Sequence, residues 1–148
     1  MAEERDLPAR RSDATAWSVI FIVATAVAGC SRATDTTTMT ELQRLRSETL
    51  DIVLLSPRDS LRHGKDAFLV EFKSTSDGNL VDVGHVRATA NMPMPGMAMF
   101  GNIDVRRTAV PGRYAANSEF EMAGTWRMAI EWDGPSGKGS VAFSGAVQ

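Results

Sequence analysis

Two observations predict an antiparallel all-β fold. From Thr49 onward apolar residues alternate with polar ones, and turn residues arrive at short intervals, which is the signature of short strands packed as a sandwich. A third observation limits how the fold is held: the chain has one cysteine, so no internal disulfide is possible and the core must hold by packing alone. The predicted organisation is a signal peptide (1–29), a polar tether beginning at the cysteine (30–48) and one β-sandwich domain (49–148).

The strands follow in order. Leu50, Ile52 and Leu54 share one face of a first strand, and Phe68, Val70 and Phe72 one face of a second. Val86, Ala88 and Ala90 define a third strand, Ile103 and Val105 a fourth, and Tyr114 to Ser118 a short fifth. The sixth carries the clearest alternation, with Trp126, Met128, Ile130 and Trp132 on one face and Arg127, Ala129 and Glu131 on the other. Val141, Phe143 and Val147 mark a seventh. Asp77-Gly78, Pro111-Gly112 and Asp133-Gly134-Pro135 are the turn signals between them. Seven short antiparallel strands so punctuated predict an immunoglobulin-like sandwich, without the cysteine and tryptophan pattern of antibody domains.

The first thirty residues read as an address. Trp17 to Gly29 is apolar, of the length of a signal-peptide core and too short to span a bilayer comfortably, and Arg10 and Arg11 precede it. It ends in Val27-Ala28-Gly29-Cys30-Ser31, which resembles the lipobox of bacterial lipoproteins, where the cysteine is lipidated and becomes the first mature residue. Cys30 is therefore the expected lipid anchor, and the protein is expected on the periplasmic side of a bacterial membrane, with the outer membrane favoured because Ser31 is not aspartate. Ser31 to Ser47 is polar and threonine-rich with a weak helical hint at Leu42 and Leu45, and reads as the tether. Removing residues 1–29 takes away Glu3, Glu4, Arg5, Asp6, Arg10, Arg11 and Asp13 and leaves a formal balance of −1, which gives nucleic acid no electrostatic hold.

One stretch carries candidate chemistry. Asn91-Met92-Pro93-Met94-Pro95-Gly96-Met97-Ala98-Met99-Phe100 concentrates four of the eight methionines. A thioether can ligate a soft ion such as Cu(I), fill an irregular apolar gap, or form a pliable contact surface. Pro93 and Pro95 remove two backbone donors and Gly96 permits a sharp reversal, so the stretch is expected as a stiff loop. Strand parity adds a three-dimensional expectation. If consecutive strands run antiparallel, the first, third and fifth connections share one end of the sandwich. His63, then Met92, Met94, Met97 and Met99, and then Met122 would converge there. His85 is expected on the outward face of the third strand and Met128 in the core.

The order of short motifs resembles a known family. Val86-x-Ala88-x-Ala90-x-Met92-Pro93-x-Pro95-x-Met97-x-Met99, then Pro111-Gly112-Arg113-Tyr114, then Phe120-x-Met122-Ala123-Gly124-x-Trp126-Arg127-x-Ala129-Ile130 looks like the YtkA-like domain, related in style to FixH-type proteins, over about residues 49–133. The resemblance implies an extracytoplasmic β-sandwich, often lipid-anchored, found in settings of copper or heavy-metal handling, and it does not imply an enzyme. It carries the methionines over as motif positions and not as established ligands. A histidine-led Cu(II) site of the kind in CopC-like carriers lacks support, since no histidine stands directly after the cleavage point and only His63 lies near the expected pole.

Two functions remain open. One is an envelope accessory of copper handling or efflux that holds Cu(I) through two or three of Met92, Met94, Met97, Met99 and Met122, with His63 as an added ligand. The other is an interaction module whose apolar methionine loop docks on an envelope partner, such as a component of an efflux or metallochaperone system. Catalysis is not expected, because no Ser-His-Asp arrangement, placed carboxylate pair or phosphate-binding glycine loop is present.

Overall fold

A computed structural model describes residues 38–148; Cys30 and the apolar run before it lie outside the described residues. Eight strands follow in order: β1 (Thr40–Ser47), β2 (Leu50–Ser56), β3 (Gly64–Ser74), β4 (His85–Met94), β5 (Met97–Arg107), β6 (Arg113–Phe120), β7 (Gly124–Gly134) and β8 (Gly137–Val147). Every neighbouring pair is antiparallel, in the spatial order β1-β2-β3-β6-β5-β4-β7-β8. The sheet folds over at β5. Its first half, Met97 to Gly101, pairs with β4, and its second half, Asn102 to Arg107, pairs with β6. The result is a nearly closed antiparallel sandwich in which the edge strands β1 and β8 come into contact.

The fold-over point has a physical cause at Gly101. A side chain there would meet the Phe120 ring at 3.0 Å and the Trp126 ring at 3.1 Å. Those rings, 4.9 Å apart, fill the space that a Cβ would occupy, so the glycine lets the strand press against the aromatics as it changes layers. The core then follows from the alternation: Ile52, Leu54, Phe68, Val70 and Phe72 from one layer meet Val86, Trp126, Met128, Ile130, Trp132 and Phe143 from the other. Phe72 stands edge-on to both Tyr114 and Trp132, with centroids 5.5 and 5.3 Å away.

All seven expected strands are present, and the structure corrects the region before them. Residues 40–47, expected as part of the tether, form β1, paired with β2 from Thr40 opposite Ser56 to Ser47 opposite Leu50. The strands of the sandwich therefore include residues ahead of 49, from Thr40 onward. The three-residue spacing of Leu42 and Leu45 suggested a helix because, in a regular strand, the two would point to opposite faces. A β-bulge between Glu41 and Gln43 inserts the extra residue that brings both leucines against the core. The charged residues between and beside them stay outside, with Arg46 donating to Asp51 at 2.8 Å and Arg44 to Glu41 at 2.7 Å.

A second correction concerns residues 91–100. They are the two arms of a β-hairpin and not an irregular loop: Asn91 to Met94 pair with Met97 to Phe100 around a Pro95-Gly96 turn. Pro at the first central position and Gly96 at φ 82° at the second are what a type II turn requires. Pro93 is tolerated within the strand because the β4–β7 ladder has already stopped at Asn91 opposite Arg127, so no neighbour on that side asks for its missing N–H.

The end of the sandwich opposite this hairpin is held by polar ties. Asp82 accepts from the Gly84 N–H at 2.9 Å, from the Tyr114 hydroxyl at 3.2 Å and from Arg107. The Tyr114 hydroxyl also reaches the Gly84 carbonyl at 3.0 Å. Nearby, Glu71 is 2% exposed and receives Arg113 Nε at 2.6 Å and Lys73 Nζ at 2.8 Å.

Candidate functional site

The hairpin register decides where the sulfurs go. In an antiparallel pair, directly opposed residues project to the same face. Met92 opposes Met99 and Met94 opposes Met97, so all four thioethers lie on one face of the hairpin. Asn91 opposite Phe100 and Pro93 opposite Ala98 take the other face. Opposed Cβ atoms in such ladders are about 4.5–5.5 Å apart, well within the reach of an unbranched methionine side chain.

This face looks into the mouth of the sandwich, and burial falls along it. Met92 is 7% exposed and belongs to the core, Met94 and Met99 are half-buried against it, and Met97 at the turn is 63% exposed. Gly124, at φ 146°, explains the depth of Met92: a Cβ on Gly124 would stand 2.6 Å from the Met92 Cε and 3.4 Å from its sulfur. The glycine's missing side chain is the socket into which this thioether packs.

The other expected residues reach the same pole. Ser56 to Gly64, the hairpin turn and Glu121 to Ala123 all lie at one end, as Gly64 opposite Phe120 and Asn102 opposite Glu119 require. Met122 is 41% exposed, and its carbonyl accepts from the Trp126 indole N–H at 3.0 Å, which fixes that connection over the aromatic pair. His63 is exposed, and both its backbone N–H and its ring Nδ1 face the Gln148 carbonyl, at 2.7 and 3.1 Å. A carbonyl can only accept, so Nδ1 donates in this contact and Nε2 takes no part in it. The connection bearing His63 is pinned by Asp66, which accepts from Arg58 Nη1 at 2.6 Å and from the Arg62 N–H at 2.8 Å.

His63 nevertheless stands apart from the sulfurs. It shares a shallow recess with Phe100, Glu119 and Glu121, and Phe100 occupies the hairpin face turned away from the thioethers. The structure therefore groups Met92, Met94, Met97 and Met99 together and brings His63 and Met122 only to the same pole. Among the described residues no three of His, Cys, Asp and Glu converge in a metal-binding arrangement, so any metal reading here rests on sulfur. His85 is exposed on β4 and Met128 is core, as expected.

Sequence reasoning missed two residues at this pole. Phe100, 73% exposed, was counted within the methionine stretch, yet it projects from the opposite face. A Pro-Gly pair flanked by alternating residues is itself a hairpin signal, and would have separated the two faces. Gly124 was noted only as a motif position, and its role as a socket is visible only once β7 lies beside β4.

An antiparallel sandwich with a thioether-lined hairpin at one pole is the class that this geometry defines. The sequence profile described as YtkA-like matches residues 44–131, and the chain belongs to that family. Comparison with curated protein sequences finds no significant match. Among solved structures, the chain is similar to FetP of uropathogenic Escherichia coli strain F11, as isolated after expression in the periplasm. The TM-score is 0.53 at 10% identity, covering 73% of this chain and 95% of that one, which is a likeness of fold alone. A copper-bound variant of the same FetP aligns with a TM-score of 0.49 at 7% identity, over 74% of this chain and 97% of that one, a likeness too slight to argue from.

Proposed function

We propose that the chain is a non-enzymatic envelope lipoprotein that handles copper, holding Cu(I) through two or three thioethers of the hairpin. The observation that carries this reading is the register: Met92 opposite Met99 and Met94 opposite Met97 place four soft ligands on one face, three of them half-buried or exposed. Soft thioethers select Cu(I) over harder ions. Export and a lipid on Cys30, on the periplasmic side and with the outer membrane favoured, complete the proposal and are supported by the lipobox-like sequence and by the extracytoplasmic character of the family. Met122 and His63 belong to the proposal as further ligands from the same pole; His63 offers the Nε2 that takes no part in the Gln148 contact, but its recess is shared with Phe100, so the thioethers carry the reading.

Thioethers are not protonated in this range, so a sulfur site keeps its affinity in acid, whereas metal sites built on imidazole in general lose affinity there. The test is a Cu(I) competition titration of the protein and of a variant with Met92, Met94, Met97 and Met99 all changed to Leu. Leucine keeps the apolar bulk, so loss of Cu(I) binding with an intact fold supports the site. Unchanged affinity would falsify it.

A second reading has its own observation. Met97 is exposed at the hairpin turn and Phe100 at its base on the opposite face, which suits docking on an envelope protein of an efflux or metallochaperone system. Leucine at the four positions preserves such docking and glutamate abolishes it, so the two readings forecast opposite outcomes for leucine.

A further inference from the structure

The described chain starts at the hairpin pole. Thr40 opposes Ser56, where β2 runs into the connection that carries His63, and Leu42 and Gln43 lie beside Ser144, Gly145 and Ala146 near the end of β8. Val147, one residue on, pairs with Gly124 at the start of β7, the residue against which Met92 packs. Of the four large apolar residues that stand exposed among the described residues, three belong to this pole: Met97, Phe100 and Met122. The fourth, Val110, lies in the turn between β5 and β6, at the opposite end.

Chain length converts this placement into an orientation. The ten residues from Cys30 to Met39 reach at most about 36 Å when fully extended. An 11-residue strand such as β7 is itself about 36 Å long. A lipid on Cys30 therefore cannot let the far pole face the bilayer unless the connecting residues are drawn taut along the whole sandwich. The near pole meets the membrane with no such demand.

We infer that the methionine pole docks on the lipid surface, with Met97, Phe100 and Met122 seated among the headgroups. The inference rests on the Cys30 anchor proposed above and is independent of copper. The charges near these residues are mixed, Arg127 and Lys65 against Glu119 and Glu121, so the contact needs no anionic lipid. A weak apolar contact of this size is marginal alone, and the anchor supplies the second attachment that holds it at the surface.

The test uses the full-length lipidated protein in phosphatidylcholine vesicles, with one cysteine added as Ala98→Cys beside the hairpin turn or as Val110→Cys at the far pole. Lipidation blocks Cys30, leaving the new thiol as the only site for a polarity-sensitive fluorophore. The expected result is lipid-chain quenching at least ~3-fold stronger at position 98 than at 110, with the reverse order for aqueous iodide. A further change of Met97 and Phe100 to Glu should equalise the two positions while the protein stays on the vesicle. Equal aqueous exposure at both positions overturns the inference. So does shielding at 98 that survives the glutamate changes, because a second copy or another protein would then be the cover. A Cys30 without lipid mass overturns it together with the anchor, while the Cu(I) titration stands or falls separately.

Discussion

The far end of this sandwich and the methionine hairpin are held by different physics, while the connection beside the hairpin keeps its own polar tie from Asp66 to Arg58 and the Arg62 N–H. At the far end Asp82 gathers the Gly84 N–H, the Tyr114 hydroxyl and Arg107, and Glu71 is clamped between Arg113 and Lys73. At the hairpin end Met92, Met94 and Met99 lean on a core capped by Phe120 and Trp126, and the one side-chain hydrogen bond from those rings is the Trp126 indole N–H to the Met122 carbonyl. Directional bonds fix the first end in one geometry. Dispersion contacts around flexible thioethers leave the hairpin adaptable, with lone pairs that no donor among the described residues has claimed. The difference explains how one small domain can be rigid and still present a soft, receptive pole.

The largest break in this comparison is Trp126→Ala. Trp126 is 1% exposed and packs on both Phe120 and the Gly101 backbone, so its loss should cost about 3–5 kcal/mol in a denaturant titration. Hydrogen exchange should report the loosening first at the hairpin and not around Asp82. Gly124→Ala is smaller. The new methyl group would meet the Met92 Cε in a backbone conformation that alanine resists, for an expected ~1–3 kcal/mol of destabilisation.

Acid sharpens the contrast from the other side. Burial pushes the Glu71 carboxyl up, but the hydrogen bonds and charges of Lys73 and Arg113 outweigh it and hold it below the usual carboxylate value. Asp82 is also held low, first by the Gly84 N–H and then by Tyr114 and Arg107, and Asp77 by the Asn79 backbone and side chain. Carboxyls depressed by folding stabilise fully above their unfolded values near pH ~4 and lose that contribution as pH falls through the folded values. Lowering the pH from about 5 to about 2 should therefore raise hydrogen exchange around Asp82 and Glu71 before residues 91–100 of the hairpin, which carry no titrating group. Simultaneous loosening of the two regions would contradict the contrast.

Much of the fold was legible because strand alternation is a local property. Trp126, Met128, Ile130 and Trp132 announced β7, and parity alone brought the His63, hairpin and Met122 connections to one end. What stayed hidden was non-local or compensated. The bulge at Glu41 and Gln43 disguised β1 by giving two inward leucines a helical spacing. Pro93 read as a strand breaker because its tolerance depends on where the neighbouring ladder ends. The shared face of the four thioethers depends on a pairing register that the turn residues imply and only the paired strands display. His63, placed near the sulfurs by parity, turned out to neighbour Phe100 on the reverse face, a distinction that parity cannot make.

Copper-edge X-ray absorption of the Cu(I)-loaded protein tests the central claim most directly, since it reads the atoms bound to the metal. The expected spectrum shows a first shell of two or three thioether sulfurs with at most one imidazole nitrogen, its sulfur part unchanged on acidification and abolished when Met92, Met94, Met97 and Met99 become Leu. A shell of nitrogen and oxygen alone, or a sulfur shell that persists in the leucine variant, would contradict it.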